Sequence, residues 1–248
     1  MASDLSSRLP SLAVAATAAL FIASAVACRS TPPAEGAPMA GQTAASSTPV
    51  TGWRSLIDPT LSAWRGYKEQ SLPGGWTVAD GVLSKDGDQH DLLSRDEFGD
   101  FELEFDWRLA PGGNSGVFYR ATEEYEHVYW SGPEYQLLDD ARHPDGRSRL
   151  TAAGADYGLF PAPAGVVHAA NEWNQSRIVA RGAHVEHWLN GQKLLEYEVG
   201  SAGWKTALQA SKFSAWPHYG AAPRGHIGLQ GDHPGLLSLR NMRIRALP

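Results

Sequence analysis

The sequence predicts an all-β fold, an antiparallel β-sandwich, from three observations. Apolar and polar residues alternate along FELEFDWRL at 101–109, which is typical of a strand with one buried face. Asn190-Gly191 stands between two such runs and is a strong signal for a two-residue hairpin turn. Only SAGWKTALQASKF at 201–213 has the pattern of a short helix. Many short strands with hairpin turns and so little helix favour two packed sheets.

The other predicted strands follow the same period of two and are separated by turn residues. DG at 80–81 and PGGNSG at 111–116 have the composition of turns. In the last run, LLSLRNMRIRAL at 236–247, the apolar residues change parity, which predicts a β-bulge near Arg240 or Asn241. The remaining predicted strands are WTVADGVLS, SGVFYR, PEYQLL, SRIVARG, HVEHWLN, QKLLEYEV and HIGLQ.

The chain begins with segments that do not have the composition of a folded domain. Residues 1–27 contain a run of small apolar residues, SLAVAATAALFIASAVA, that ends at Cys28, and this pattern predicts a lipoprotein signal peptide with Cys28 as the lipidated residue. Residues 28–51 are rich in Pro, Ala, Ser and Thr, which is typical of a flexible linker. One β-sandwich domain is therefore expected at 52–248, in a lipoprotein of the bacterial cell envelope that faces the periplasm or the cell surface.

Composition excludes several classes of function. A formal net charge of −6 gives no basic surface for nucleic acid, so no nucleic-acid partner is expected. The chain has no helical His-x-x-x-His, no cysteine pair, no Gly-rich phosphate loop and no nucleophile elbow. No cofactor is therefore predicted, although scattered Asp and Glu leave a calcium-like divalent metal open. The membrane is expected as a partner only through the lipid anchor.

The segment GPEYQLLDD at 132–140 carries the strongest local signal for chemistry. On a strand, Glu134 and Gln136 share one face roughly 7 Å apart, while Tyr135 points to the other face. Acid–base chemistry on sugars needs carboxylates beside the substrate. The spacing Glu-x-Gln-x-x-Asp is similar to the Glu-x-Asp-x-x-Glu strand of laminarinase-type glycosidases, but an amide replaces the middle acid. From the spacing alone, a working site and a solvated strand face both stay open.

Further motifs occur in a characteristic order along 52–248: PGGNSGVFYR, GPEYQLLDDARHPDG, EWN, HVEHWLNG, SKF, GHIGLQ and RNMRIR. Together they resemble the DUF1080 family, the 3-keto-disaccharide hydrolase or 3-keto-glycoside lyase/hydratase domain. This resemblance implies a concanavalin A-like jelly roll with a sugar site on the concave sheet. The chain departs from the family near its end, where GLQGDHPG has added residues around His233.

The resemblance implies an enzyme that acts on a small oxidised carbohydrate with a ketone at C3. Such an enzyme needs a base near C2, a donor for the developing enolate oxygen and an acid for the leaving group. The catalytic candidates are Glu134 as base or acid, His187 as proton shuttle and Asp139. The substrate-binding candidates are Asn114, Tyr119, Arg120, Trp130, Gln136, His143, Lys212 and Gln230.

Structural roles compete with these assignments. Asp139 also fits a turn cap, and Arg120 also fits a structural ion pair. His187 reaches the site if Trp188 fills the core of the sandwich, and is buried if the alternate residues of that strand fill it. Two other functions stay open: a non-catalytic, lectin-like carbohydrate-binding module and a laminarinase-type endo-glucanase. Lyase or hydratase chemistry, linkage preference, oligomeric state and inner or outer membrane are not determined by the sequence.

Overall fold

Two antiparallel sheets form the domain in the computed structural model, which describes residues 52–248. The larger sheet has the strand order β11-β10-β9-β6-β13-β4-β3, with β1 paired to β13, and the smaller has the order β2-β5-β12-β7-β8. The predicted signal peptide (1–27), Cys28 and the linker (28–51) lie outside the described residues. Within 52–248, no helix is long and apolar enough to cross a membrane.

The elements are β1 (Arg54–Ser55), β2 (Trp64–Gly66), β3 (Trp76–Ala79), β4 (Val82–Lys85), β5 (Leu92–Phe98), β6 (Phe101–Leu109), β7 (Asn114–Ala121), β8 (Glu134–Leu138), β9 (Asn174–Arg181), β10 (His184–Leu189), β11 (Gln192–Glu198), α1 (Ala202–Ala210), β12 (Gly225–Leu229) and β13 (Leu237–Ala246). Three 3-10 helices lie at Val128–Trp130, Pro144–Arg147 and Lys212–Ala215.

The core between the sheets is built by the predicted alternation. In β6 the apolar residues, such as Trp107, are buried, and the Trp107 indole donates to Ser176 Oγ of the neighbouring strand at 2.8 Å. In β8 of the smaller sheet, Tyr135 and Leu137 are fully buried in the same core. The predicted all-β antiparallel sandwich is therefore confirmed.

Two local predictions are also confirmed. Asn190 and Gly191 join β10 to β11 with φ angles of 49° and 81°, the positive values that a type I′ turn requires. The pairing of β13 with β6 shifts between Arg240 and Arg243, and Asn241 has a φ of 53°. This is the predicted bulge.

The helix ends earlier than the sequence predicts, and this places a candidate lysine. α1 begins after Ser201, whose hydroxyl accepts from the Trp204 amide at 3.1 Å. Ser211 then caps the following 3-10 helix by accepting from the Phe213 amide at 3.1 Å. Lys212 consequently lies on a separate short turn at the outer face of the smaller sheet.

Candidate functional site

A cavity of about 230 Å³ lies on the outer face of the smaller sheet. Because Tyr135 and Leu137 point into the core, the alternate residues of β8, Glu134 and Gln136, point outward into the cavity. Strand and loop residues together form its lining, which consists of Asn114, Tyr129, Glu134, Gln136, Asp145, Tyr157, Lys212, Gln230, Asp232 and His233.

Glu134 is the most strongly perturbed carboxyl group of the cavity lining. Its side chain is almost fully buried, and burial raises its pKa from 4.5 to about 8. The Lys212 ammonium opposes this shift, while the nearby Asp232 carboxylate adds to it. A carboxyl group that titrates near neutral pH suits general acid–base catalysis.

Gly116 makes room for the Glu134 side chain. It lies on β7 opposite Gln136, and a Cβ atom built on Gly116 would be 2.2 Å from Glu134 Oε1. With its nitrogen toward Glu134, the Gln136 amide donates to Glu134 Oε1 and to the Ser115 carbonyl oxygen, both at 3.1 Å. The Asn114 side chain lies 3.2 Å from the Gln136 amide on its other side. The carboxyl group is thus held in one orientation by its neighbours.

Gln230 presents an unused acceptor to the cavity. Its backbone is fixed, because its amide donates to the Gly116 carbonyl oxygen at 2.9 Å and its carbonyl oxygen accepts from the Ser115 hydroxyl at 2.9 Å. The side chain is buried, and among residues 52–248 its Oε1 has no hydrogen-bond partner. Since buried polar atoms are nearly always satisfied, this oxygen is suited to accept from a ligand hydroxyl.

One wall of the cavity is built around Tyr157. Its amide donates to the Glu134 carbonyl oxygen at 3.0 Å, and its hydroxyl donates to Asp145 Oδ2 at 3.4 Å. Burial raises the pKa of Tyr157 to about 12. The Lys212 ammonium lies over the Tyr157 ring, 4.7 Å from its centre. His143 does not line the cavity; its Nδ1 accepts from the Asp145 amide at 3.2 Å and caps the turn that carries Asp145.

Another part of the lining comes from the loop after β12, within the stretch GLQGDHPG. Asp232 and His233 line the cavity, and burial lowers the pKa of His233. The buried Lys85 ammonium, from β4 of the larger sheet, donates to the carbonyl oxygens of Gly87 and Gly231, both at 3.1 Å, and to that of His233. A lysine from one sheet therefore fixes a loop that follows a strand of the other.

His187 does not reach the cavity. Val185 and Leu189 fill the core, so His187 on the same side of β10 is fully buried between the sheets. Its Nε2 lies 2.9 Å from the Tyr119 hydroxyl and its Nδ1 lies 3.0 Å from the Gly154 carbonyl oxygen. Burial lowers the pKa of His187 to about 4. The expectation that His187 and Tyr119 face the substrate is corrected: both belong to a polar network inside the core.

Asp139 also lies away from the cavity lining. Its Oδ2 accepts from the Gly112 amide at 2.7 Å and its Oδ1 from the Ala141 amide at 3.2 Å. These bonds fix the glycine-rich turn before β7 to the end of β8. Asp139 therefore has the capping geometry, and through this turn it orients Asn114 rather than facing the cavity itself.

Arg120 is used in a structural ion pair. Its Nε donates to the Gly99 carbonyl oxygen at 3.0 Å, and one terminal nitrogen donates to that of Gly182 at 2.7 Å. The other terminal nitrogen lies 3.3 Å from Asp100 Oδ1. Its φ of 50° breaks the strand alternation, and the side chain contacts the β5–β6 and β9–β10 connections instead of lining the cavity.

Trp130 lies beside the cavity without lining it. Its indole stacks on Trp216, with ring centres 4.8 Å apart and planes 18° from parallel. Of the sequence candidates, the structure therefore brings Asn114, Glu134, Gln136, Lys212 and Gln230 together in the cavity. Sequence reasoning missed five lining residues, which lie in loops or short 3-10 helices without a periodic pattern: Tyr129, Asp145, Tyr157, Asp232 and His233.

A cluster of potential metal ligands lies elsewhere, on the outer face of the larger sheet. Among residues 52–248, donor atoms of His184, Glu186 and Glu196 fall within 4.8 Å of one another. The Lys193 ammonium is 2.5 Å from Glu196 and 3.7 Å from Glu186, so a cation already neutralises these two carboxylates. These ion pairs join β10 to β11 across their hairpin, and none of the residues lines the cavity.

Known proteins are similar to this chain over nearly the whole described domain. Residues 52–245 match the family model described as a 3-keto-alpha-glucoside-1,2-lyase-like domain. A 3-keto-disaccharide hydrolase of Bacteroides thetaiotaomicron is 34% identical over 229 residues, covering 79% of each chain.

Solved structures agree with this match. A Parabacteroides distasonis protein assigned to the glycosyl hydrolases superposes with a TM-score of 0.74 at 30% identity, covering 79% of this chain and 94% of that chain. A Bacillus subtilis protein with a galectin-like fold superposes with a TM-score of 0.50 at 16% identity, covering 78% and 94%, which shows the fold alone. The fold and the family match together define a carbohydrate-active β-sandwich. The chain belongs to the 3-keto-alpha-glucoside-1,2-lyase-like family, which is a family of enzymes.

Proposed function

We propose that this protein cleaves 3-keto-glycosides by elimination and completes their hydrolysis by adding water, with Glu134 as the proton-transferring group. The observation that carries this proposal is one buried carboxyl group with a pKa near 8, which shares a small polar cavity with a lysine. The name of the Bacteroides relative supports a 3-keto-disaccharide as the substrate.

The chemistry follows from the ketone at C3 of the sugar. The ketone acidifies the proton on C2, and the Glu134 carboxylate takes that proton as the C2–H electrons form an enolate. The enolate then expels the oxygen on C1, which takes up the proton that Glu134 now carries and leaves as an alcohol. Water adds to the resulting enone with its oxygen on C1 and a proton on C2. The net reaction is hydrolysis and no oxidant is consumed.

Two other groups of the cavity suit this reaction. Lys212 carries a positive charge to the same space as Glu134, and it is the cation suited to stabilise the enolate oxygen on C3. Gln230 offers the unpaired Oε1 as acceptor for a sugar hydroxyl. Gln136 orients Glu134 and is not itself an acid. The proposed elimination does not need a second carboxylate, unlike the displacement that common glycosidases carry out.

The dependence of kcat/KM on pH distinguishes the two roles of Glu134. A base must be ionised in the free enzyme, and burial raises this pKa to about 8. We therefore expect kcat/KM to rise about tenfold per pH unit below pH 8 and to level off above it. The measurement is initial rate against pH from 5 to 10. A rate that falls above pH 8 would assign Glu134 as the acid instead.

The proposed activity is tested by incubating the purified full-length protein with a disaccharide, its 3-keto derivative and an unmodified β-glucan. Mass spectrometry follows the enone intermediate and the incorporation of oxygen from labelled water. Turnover of the oxidised sugar alone supports the proposal. Tight binding of the plain disaccharide without turnover would indicate a lectin-like module. Cleavage of the β-glucan would indicate an endo-glucanase, with Asp145 or Asp232 as the second carboxylate.

Gly116→Ala is expected to lower kcat/KM at least tenfold without unfolding the protein. The new Cβ displaces the Glu134 carboxyl group, since it would otherwise lie 2.2 Å from Oε1. A shift of this group by about 1 Å is enough to slow catalysis strongly. Gly203→Ala in α1 is the matched control, because its Cβ meets only Ser201 Oγ at 3.9 Å. Equal activities of the two variants would contradict this reading of Gly116.

The predicted N-terminal segments lead to a proposal on location. Cys28 carries a lipid, and the linker 28–51 tethers the domain to a membrane of the cell envelope. The sequence pattern before Cys28 supports this proposal. Labelling cells with a fatty-acid analogue is expected to mark the wild-type chain but not Cys28→Ser. Unlabelled wild-type protein in the soluble fraction would disprove lipidation.

A further inference from the structure

The cavity is too small to enclose a whole disaccharide. Its volume of about 230 Å³ is below the roughly 300–1,000 Å³ of pockets that surround drug-sized ligands. If the 3-keto sugar ring occupies the cavity, with C2 at Glu134, the leaving group on C1 must extend beyond the lining residues. The walls beside the cavity therefore decide which leaving groups bind.

A stacked pair of tryptophans joins two of these walls. The 3-10 helix Val128–Trp130 carries Tyr129 into the cavity lining, and the 3-10 helix Lys212–Ala215 carries Lys212 into it. Trp130 directly follows Tyr129, and Trp216 directly follows the second of these helices; the two rings stack with centres 4.8 Å apart. Along the chain, the stacked pair thus lies one residue from Tyr129 and four residues from Lys212.

Ring contacts continue from the tryptophan pair into the site. The Trp130 ring meets the Tyr129 ring edge-on, with centres 5.8 Å apart, and the Trp216 ring lies 6.3 Å from that of Phe213. The Lys212 ammonium in turn lies 5.1 Å from the Phe213 ring centre. Both tryptophans are only half-buried, so they keep apolar surface exposed next to the cavity.

We propose that the Trp130–Trp216 pair is the binding subsite for the leaving group, an inference that rests on the proposed function. It selects leaving groups with a flat apolar face, such as a second pyranose or an aromatic aglycone. Flat rigid aromatic surfaces beside a polar pocket provide contact area at low cost in side-chain entropy. Polar groups hold the 3-keto sugar ring inside the cavity, and stacking on the tryptophans holds the leaving group outside the cavity.

The test compares two substrates with the purified full-length protein: a 3-keto-disaccharide and the methyl glycoside of the same 3-keto sugar. The methyl group cannot reach or stack on the tryptophans. Trp216→Ala is expected to raise KM for the disaccharide about tenfold, as the loss of an aromatic contact implies, and to leave kcat/KM for the methyl glycoside unchanged. Trp130→Ala should act in the same direction, and Trp216→Phe should restore part of the affinity.

Trp188→Ala is the matched control, because Trp188 is equally half-buried but lies on β10 of the larger sheet. It should change neither substrate's kinetics. Equal losses for both substrates in Trp216→Ala would overturn the subsite, since the pair would then only hold Lys212 and Tyr129 in place. Wild-type protein that prefers the disaccharide no more than the methyl glycoside would also overturn it. Wild-type protein that turns over neither substrate would disprove the proposed function itself.

Discussion

Glu134→Gln is expected to lower kcat/KM by about 10²–10⁴-fold, the range that a general base contributes, and to make the folded domain more stable. The amide has the shape of the carboxyl group but cannot take a proton from C2. It also removes a group whose ionisation the cavity disfavours, since burial raises its pKa from 4.5 to about 8. Activity and stability therefore change in opposite directions at one residue.

The stability gain must depend on pH with a definite sign. A carboxyl group whose pKa is higher in the folded state than in the unfolded chain binds its proton more tightly when folded. Its cost to folding is absent below about pH 4.5, grows as pH rises, and is complete above about pH 8. Even a part of this rise in pKa corresponds to roughly 2 kcal/mol of lost folding stability at high pH. Tm of Glu134→Gln should match that of the wild type at pH 4 and exceed it at pH 8.

Glu104→Gln supplies the control for both measurements. Glu104 is paired with Arg243 on the outer face of the larger sheet, at 2.6 Å, and is partly exposed. Such surface pairs contribute little to stability, so this variant should keep wild-type kinetics and nearly wild-type Tm. If Glu134→Gln lost activity together with stability at every pH, misfolding would explain the loss and Glu134 would have no demonstrated role in catalysis.

The sequence predicts the strand-borne half of the site well. Alternation within EYQLL is enough to place Glu134 and Gln136 on one face, because Tyr135 and Leu137 are strongly apolar and must enter the core. The loop-borne half has no such signal. Asp145 and Tyr157 lie on the long connection between β8 and β9, where hydrogen bonds rather than periodicity fix the backbone.

The misplaced candidates fail for local physical reasons. In HVEHWLN both faces carry apolar residues, so parity does not decide which face is buried. Trp188 remains outside because Arg177 stacks on its ring at 4.1 Å and its indole donates to Glu186 at 2.6 Å. His187 is then left in the core with Val185 and Leu189. A cation–π contact from a neighbouring strand cannot be read from the strand's own sequence.

The buried Lys85 leads to the second large expected effect. Its ammonium is 2% exposed and its hydrogen bonds go to the backbone carbonyl oxygens of Gly87, Gly231 and His233. Burial lowers the pKa of Lys85, and the surrounding aspartates, Asp88 first among them, favour its charged form. The Gly231 amide also donates to Asp91 at 2.7 Å. The loop that carries Asp232 and His233 into the cavity is thus held around one cation.

Lys85→Met is expected to destabilise the domain by about 2 kcal/mol and to lower kcat/KM about 10–100-fold. Unpaired carbonyl oxygens cost about 1–3 kcal/mol each, and removing a buried charge offsets part of this loss. Catalysis suffers because Asp232 and His233 lose their position at the cavity, although Lys85 itself does not line it. Thermal unfolding and steady-state kinetics measure the two effects separately.

Lys85→Ala separates the role of the cation from that of the packed side chain. The truncation leaves space for a small alkylammonium ion, which would bind the same three carbonyl oxygens. Millimolar ethylammonium should therefore restore part of kcat/KM in Lys85→Ala but have no effect on Lys85→Met, whose side chain still fills the space. Because the ion binds only the folded protein, Tm of Lys85→Ala should rise in parallel. Wild-type kcat/KM in Lys85→Met, despite a lower Tm, would show that the loop keeps its position without the lysine.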